Sequence, residues 1–468
     1  MAFRSVFDAE ALRNEFEMAG ISSQLIPRIW KHVRQKPNVD LDEVPSLPAA
    51  AYPILRSKFR AMTSSLSSNA DSKDKLTTKL LIRLQEGTGS GCHATGCGSS
   101  NGDAAHMGRK EGPTEKMWHC WHHQRMHGLC CFLIGVGGNG AMVEAVIMRY
   151  DTRLGKYDGK PRPGGLRATL CVSSQVGCKM ACKFCATGTM GFKNNLSSGE
   201  IVEQLVHASR FSDIRNVVFM GMGEPLNNFN AVVEAIKVMT ASPFQLSPKR
   251  VTVSTVGIIN AIKKFNGNLP SVNLAVSLHA PDQETRCQIM PSARAFPLGR
   301  LIEALLEYQK KSQQKILIEY IMLDAVNDLL EHAHQLGKLL QTLEVNYFLK
   351  SLLIHLRPKF EHREITEFCL GTSGLELSAM PSIVGSLPVV NLIPYNPIKS
   401  SSNFRTSKKE NVEGFQKVLR GVYNIRTTIR QQMGTDISGA CGQLVVNLSE
   451  QRSTEGACLL SDIEDLRI

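Results

Sequence analysis

From residue 168 onward, short β-rich runs alternate with helical ones, and this alternation constrains the fold more than any other feature of the chain. The strand candidates are ATLCVS (168–173), NVVFMG (216–221), VTVST (251–255), NLAVSL (273–278), KILIEYI (315–321) and VVNLIP (389–394). SGEIVEQLVHASRF and NAVVEAIKVMTA, which lie between the early strands, have helical spacing, and Ser197 with Glu200 forms a potential capping box. Strand-helix alternation of this length predicts parallel βα units, doubly wound or barrel-like. The polar residues favour the barrel. Glu224, Ser254, Ser277, His279 and Asn396 stand at or just after the C-terminal ends of successive strands, where barrel enzymes assemble their sites.

Residues 1–86 read as a small N-terminal domain. DAEALRNEFEMAG and QLIPRIWKHVRQ have helical spacing, SSLSSNADSKD reads as a polar linker, and KLLIRLQ alternates like a strand. Two segments break the pattern. Residues 87–138 are rich in Cys and His with little periodicity, and residues 345–388 form a long excursion before VVNLIP. Between and after them the expected divisions are a β extension (139–167), a first barrel part (168–344), the barrel end with a C-terminal segment (389–450) and a tail (451–468).

Lysine and arginine outnumber aspartate and glutamate by 54 to 42. That surplus suits a polyanionic partner such as RNA. No run of 18 apolar residues occurs, which argues against a membrane span. The N-terminus carries Asp8, Glu10, Glu15 and Glu17 and reads as an amphipathic helix, not a signal peptide. Thirteen cysteines without a secretory signal point to reduced thiols used for metal or redox chemistry. A cytoplasmic monomer is the expectation.

The densest chemistry lies in CVSSQVGCKMACKFC, Cys171 to Cys185. Cys178, Cys182 and Cys185 form C-x3-C-x2-C, and Cys171 precedes them by seven residues. Thiolates at these spacings can ligate three irons of a [4Fe–4S] cluster and leave the fourth iron open. The alternatives are a zinc knuckle completed by another Cys or His, or unrelated buried thiols. Phe184, beside the last cysteine, suits either a shielding role or ordinary packing. FLIGVGGNG contains G-x-G-x-x-G at Gly135, Gly137 and Gly140, but AMVEAVIM follows it like a strand instead of opening a helix, so no dinucleotide fold is read from it.

C-x3-C-x2-C resembles the signature of radical S-adenosylmethionine (SAM) enzymes. The wider set CVSSQVGC, FCATG, FMGMGEPL, VSTVG, SLHAP, LIPYNP and DISGACGQL resembles the RlmN-type adenosine C2 methyltransferases of RNA. The resemblance implies a partial (βα)6 barrel, one [4Fe–4S] cluster on Cys178, Cys182 and Cys185, and two SAM molecules per turnover. It also implies SAM contacts at Gly223, Glu224, Ser254, Ser277, Leu278, His279 and Asn396. By the same resemblance Cys441 is methylated by one SAM. A radical generated from the second SAM then activates that methyl for addition to C2 of adenosine in ribosomal RNA and in transfer RNA. Glu144 would remove the C2 proton. Cys171 would then attack the sulfur of Cys441, forming a disulfide as the methylated base leaves. A low-potential donor of flavodoxin or ferredoxin type is implied as well. Rival readings are a Cfr-type enzyme acting at adenosine C8 and a catalytically disabled RNA-binding homologue.

The chain departs from the family pattern at both long segments. About 50 residues separate the two arms of a hairpin that a short turn joins in relatives. The first segment reads as a zinc module (Cys92, Cys97, His119, Cys120, His122, His123, Cys130, Cys131), a disordered loop, or translated intron, the last being favoured. Met433 stands where relatives often carry arginine.

Overall fold

The structure is a computed structural model that describes residues 3–85, 140–151, 156–157, 160–161, 165–356, 388–398 and 403–446. Three helices come first: α1 (Ala9–Met18), α2 (Ile26–Gln35) and α3 (Ala51–Lys58). Four-residue spacing puts Leu12 with Phe16, and Ile29 with Val33, on single helix faces, and all four are fully buried. Trp30 Nε1 donates to the Val6 carbonyl at 2.8 Å, which satisfies its one polar group inside this apolar cluster.

The rest is organised by one ten-stranded sheet. Its strands are β1 (Ser64–Asp71), β2 (Thr77–Leu84), β3 (Met142–Asp151), β4 (Leu166–Cys171), β5 (Ile214–Phe219), β6 (Val251–Thr255), β7 (Asn273–Ser277), β8 (Leu317–Met322), β9 (Val389–Pro394) and β10 (Thr427–Ile429). Spatial order follows chain order, with β1 and β10 as the open edges. Pairing is antiparallel from β1 to β4 and parallel from β4 to β10. The six strands expected from the sequence are β4 to β9. The three-residue β10 was too short to show a period.

Helices α4 (Ser198–Ala208), α5 (Phe229–Thr240), α6 (Ile259–Asn268), α7 (Leu298–Ser312) and α8 (Leu330–Leu356) follow β4 to β8 in turn, and α9 (Lys409–Gly421) links β9 to β10. This is the partial barrel of the expectation. The capping box at α4 is present: Ser197 Oγ accepts from Glu200 N at 3.1 Å, and Ser197 N donates to Glu200 Oε2 at 2.7 Å.

The N-terminal helices dock on the same helix. Asp8 Oδ1 accepts from Gly199 N at 2.7 Å and from Ser198 Oγ at 3.0 Å, adding negative charge at the α4 N-terminus. A Cβ on Gly199 would stand 2.4 Å from Ser5 Cβ, so this close approach needs glycine. Buried Glu203 accepts from Ser5 Oγ at 2.6 Å and from Thr63 N at 2.8 Å, tying the N-terminal region to the barrel.

One expectation is overturned. SSLSSNADSKD is not a linker: Ser64–Asp71 is strand β1, paired with β2 from Ser64 opposite Leu84 to Asp71 opposite Thr78, with a one-residue register shift between Leu66 and Ser68. Its composition misleads because an edge strand with both faces largely exposed needs no apolar alternation, and polar residues there discourage pairing with another chain.

Strands β2 and β3 pair from Thr77 opposite Met148 to Arg83 opposite Met142, and Leu84 N donates to the Ala141 carbonyl at 2.8 Å. The long first segment therefore leaves and re-enters at the open end of a hairpin whose register is intact. Its cysteines and histidines, with Gly135 and Gly137, lie outside the described residues. Gly140 stands two residues before β3, and MVEAVIM lies on that strand, so the strand reading of that stretch holds. In the second segment, α8 continues to Leu356. The apolar run VNYFLKSLLIHL hides helical periodicity but is rich in residues that tolerate a helix. Residues 357–387 lie outside the described part.

Candidate active site

The three-cysteine loop hangs between the arms of a small antiparallel hairpin, Gln175–Gly177 and Phe192–Asn195. Gly177 has φ +72°, and a Cβ there would sit 1.8 Å from the Gly191 carbonyl oxygen, so only glycine closes the hairpin. Cys178 N donates to the same carbonyl at 3.0 Å, and Cys185 N donates to the Cys182 carbonyl at 3.1 Å. The three thiols face a cavity of about 130 Å³, also walled by Gly223, Glu224, Ser254, Ser277, His279, Glu319, Arg430 and Cys441. Burial pushes the Cys178 thiol up to about 12 and raises that of Cys182 strongly, with the neighbouring thiols adding to both.

The strand ends supply polar groups already fixed by the backbone. Gly223, at φ +98°, passes so close to Gln175 that a Cβ would lie 2.5 Å from that side chain. Glu224 Oε1 accepts from Leu226 N at 3.0 Å and Oε2 from Val256 N at 2.8 Å; burial nevertheless pushes its carboxyl up to about 7. Ser254 and Ser277 bring their hydroxyls within 3.4 Å across adjacent strands. His279 Nδ1 accepts from Ile321 N at 3.1 Å, which places its ring proton on Nε2. Burial, then Arg286, lowers this histidine to about 3, so it is neutral, and Phe184 packs against its ring edge to face at 4.9 Å.

Two of the expected contact residues do not line this cavity. The Leu278 side chain is fully buried in the main core. Asn396 Nδ2 donates to the Cys441 carbonyl at 3.0 Å, and its Oδ1 accepts from Gln432 Nε2 at 3.1 Å. Asn396 therefore braces the Cys441 loop.

That loop is pinned from several sides. Ala186 N donates to the Gly442 carbonyl at 2.7 Å and Thr187 Oγ1 to the Leu444 carbonyl at 2.6 Å, both from the helical turn that follows Cys185. Cys441 thus faces the three-cysteine cavity. Cys171, at the end of β4, is buried outside it; burial, then the Cys441 charge, pushes its thiol up to about 12. Burial also raises Cys441, opposed by Arg430. Burial disfavours the Arg430 charge, but Cys441, Glu319, Tyr150 and Cys171 outweigh it and keep the guanidinium protonated.

Glu144 lines a second cavity, of about 270 Å³, on the other side of the Cys441 loop. Its Oε1 is 3.1 Å from Lys79 Nζ, and its Oε2 accepts from Val445 N at 2.9 Å. Burial raises its carboxyl and Lys79 opposes the shift.

Among the described residues, no three His, Cys, Asp or Glu side chains converge on a point that would hold a single metal ion. A zinc knuckle on the cysteine loop finds no support. The donor set suits a cluster, in which each thiolate takes its own iron and the spread of three thiols around one cavity is no handicap. Cys171 lies outside that cavity and is no fourth ligand there. Cys171 and Cys441 are both free thiols, so the expected disulfide is not present in this structure. Sequence reading missed Glu319, Arg430 and Lys79. An acid inside the apolar run ILIEYI was the available signal for Glu319; nothing local marks the other two.

A sequence profile of the Radical SAM superfamily matches residues 172–336. The chain is 40% identical over 301 residues to the dual-specificity RNA methyltransferase RlmN of Halorhodospira halophila, covering 63% of this chain and 71% of that one. It is 34% identical over 312 residues to the ribosomal RNA large subunit methyltransferase N of Nitrosopumilus maritimus, covering 65% and 74%. The chain belongs to the RlmN family of RNA methyltransferases. Among solved structures, a radical SAM methyltransferase from Sphaerobacter thermophilus superposes with a TM-score of 0.65 at 26% identity, covering 94% of this chain and 99% of that one. Within the RlmN family frame, the motif residues from Cys178 to His279 fall on the profile-matched part of the barrel, whereas Glu144 and Cys441 lie outside it and reach the site by folding.

Proposed function

We propose that this enzyme methylates C2 of adenosine in RNA, with ribosomal RNA the first substrate and transfer RNA the second, through a methyl carried on Cys441. One observation carries the reading. The Cys441 loop separates the three-cysteine cavity from the Glu144 cavity and is hydrogen-bonded to both walls.

Cys178, Cys182 and Cys185 would hold a [4Fe–4S] cluster, with Gly223, Glu224, Ser254, Ser277 and His279 around SAM. When bound, the cluster and SAM supply one-electron chemistry that activates a methyl group, drawing electrons from a low-potential flavodoxin- or ferredoxin-type donor. The protein's own residues do the rest. Cys441 Sγ carries the one-carbon unit and joins it to C2. Glu144 takes the C2 proton. The Cys171 thiolate then attacks Cys441 Sγ: an S–S bond forms, the bond from that sulfur to the methylene breaks, and its electron pair takes up a proton to complete the methyl group. A thiol reductant returns the disulfide to two thiols. The buried guanidinium of Arg430, acting on both thiols, favours the thiolate each must become.

Kinship with RlmN supports C2 over C8. Nucleoside mass spectrometry of RNA treated with the reconstituted enzyme should show 2-methyladenosine, and Cys441→Ala should abolish it. An 8-methyladenosine product, or undiminished product from Cys441→Ala, would overturn the assignment.

A further inference from the structure

Glu144 is gripped by residues from opposite ends of the chain, Lys79 on β2 and the backbone of Val445. Glu144 sits opposite Leu81 in the β2–β3 ladder, so Lys79 is its diagonal neighbour on the same face. The Lys79 side chain is only 19% exposed. Among the described residues, Lys79 and Glu144 are the only charged side chains lining the cavity of about 270 Å³.

Other titratable groups nearby do not line this cavity. Arg83, on the other diagonal, is exposed and lines a separate groove with Arg60. Cys171 on β4 lies opposite Val146 and so shares the Glu144 face, but it does not line the cavity. Asp436, on the C-terminal segment, accepts from Lys73 N at 2.8 Å.

A carboxylate this buried and left alone would take up a proton and could not act as a base. A fixed cation and an amide donor oppose that preference, and their geometry leaves the carboxylate at the cavity wall. We propose that Lys79 is a positioning residue for proton abstraction: its ammonium keeps the Glu144 carboxylate ionised and turned toward the cavity that receives the target base. In that step the C2–H bond breaks, the proton passes to a Glu144 oxygen, and the bonding pair stays in the purine ring. The inference rests on the reading of Glu144 as the base.

The test uses the reconstituted full-length enzyme, its RNA substrate, and the variants Lys79→Met, Lys79→Arg and Glu144→Gln. Resolution of the covalent protein–RNA species is followed on denaturing gels across pH. Infrared difference spectra report any protonated carboxylic acid in the free protein. Lys79→Met should move the acid limb of resolution up by about one to three pH units. At neutral pH it should also show an acid band that the wild type lacks and that disappears in the Lys79→Met/Glu144→Gln double variant. Lys79→Arg, which keeps the charge, should retain the wild-type limb. If Glu144→Gln traps the adduct but the Lys79→Met limb superposes on the wild type, the role of Lys79 is overturned and the base assignment stands. If Glu144→Gln resolves the adduct at the wild-type rate, the base assignment falls and takes the inference with it.

Discussion

The two cavities flanking the Cys441 loop are built in opposite ways. The three-cysteine cavity is assembled from one short loop and the C-terminal ends of consecutive parallel strands. The Glu144 cavity is assembled across the antiparallel extension, with walls from β1, β2, β3 and the segment that follows Cys441. In the first, chemistry is written into local spacing. In the second, Glu144 and Val445 meet across 301 positions of sequence. A site of the first kind is found by motif; one of the second kind exists only once the sheet has formed.

The sharpest way to break this contrast is to disable each cavity separately. Cys182→Ser should lose iron and sulfide and drop RNA methylation on the order of a thousandfold or more. Glu144→Gln should keep full iron and sulfide content by colorimetric analysis while methylation fails. Loss of iron from Glu144→Gln would mean the two cavities are one structural unit.

Arg430 lines the three-cysteine cavity beside Cys441, and Arg430→Met tests its action on the thiol. Removing a cation that stabilises the thiolate raises the Cys441 thiol further, so its rate of alkylation should shift about one pH unit or more toward alkaline. An unchanged alkylation profile, read by mass spectrometry of the Cys441 peptide, would remove Arg430 from the chemistry.

Gly177→Ala should destabilise the protein by about 2 kcal/mol and lower cluster occupancy, because the left-handed backbone and the Gly191 carbonyl leave no room for a methyl. Denaturant unfolding compared with iron content would show whether the strain stays within the loop. The smallest effect belongs to Ser197→Ala, which removes a helix cap that lines neither cavity. It should cost about 1 kcal/mol in unfolding with methylation unchanged.

Sequence made the parallel half of the sheet legible, because buried parallel strands read as near-continuous apolar runs separated by helices. The antiparallel edge was harder. Ser64–Asp71 is polar throughout apart from Leu66 and Ala70, and only its pairing with β2 makes it a strand. The cysteine triad was readable from spacing. The partition of Cys171 from that triad came from resemblance, and the structure supplies its physical counterpart by burying Cys171 outside the cavity. Lys79 was invisible for a different reason: a lysine on an alternating strand looks like any solvent-side residue until its ladder partner is known. Asn396 stands at the expected strand end, and its bond to the carbonyl of Cys441 is a contact that only the folded chain reveals.

The strand order carries one more consequence. Each strand of the main sheet lies beside its predecessor in the chain, so the sheet can be laid down in the order in which a ribosome delivers it. The Cys441 loop comes after the last strand, and every group that grips it precedes it in the chain: Glu144, Ala186, Thr187 and Asn396. The nascent protein thus makes the groups that hold this loop before the reactive sulfur arrives, and the thiol emerges beside partners already in place to restrain it.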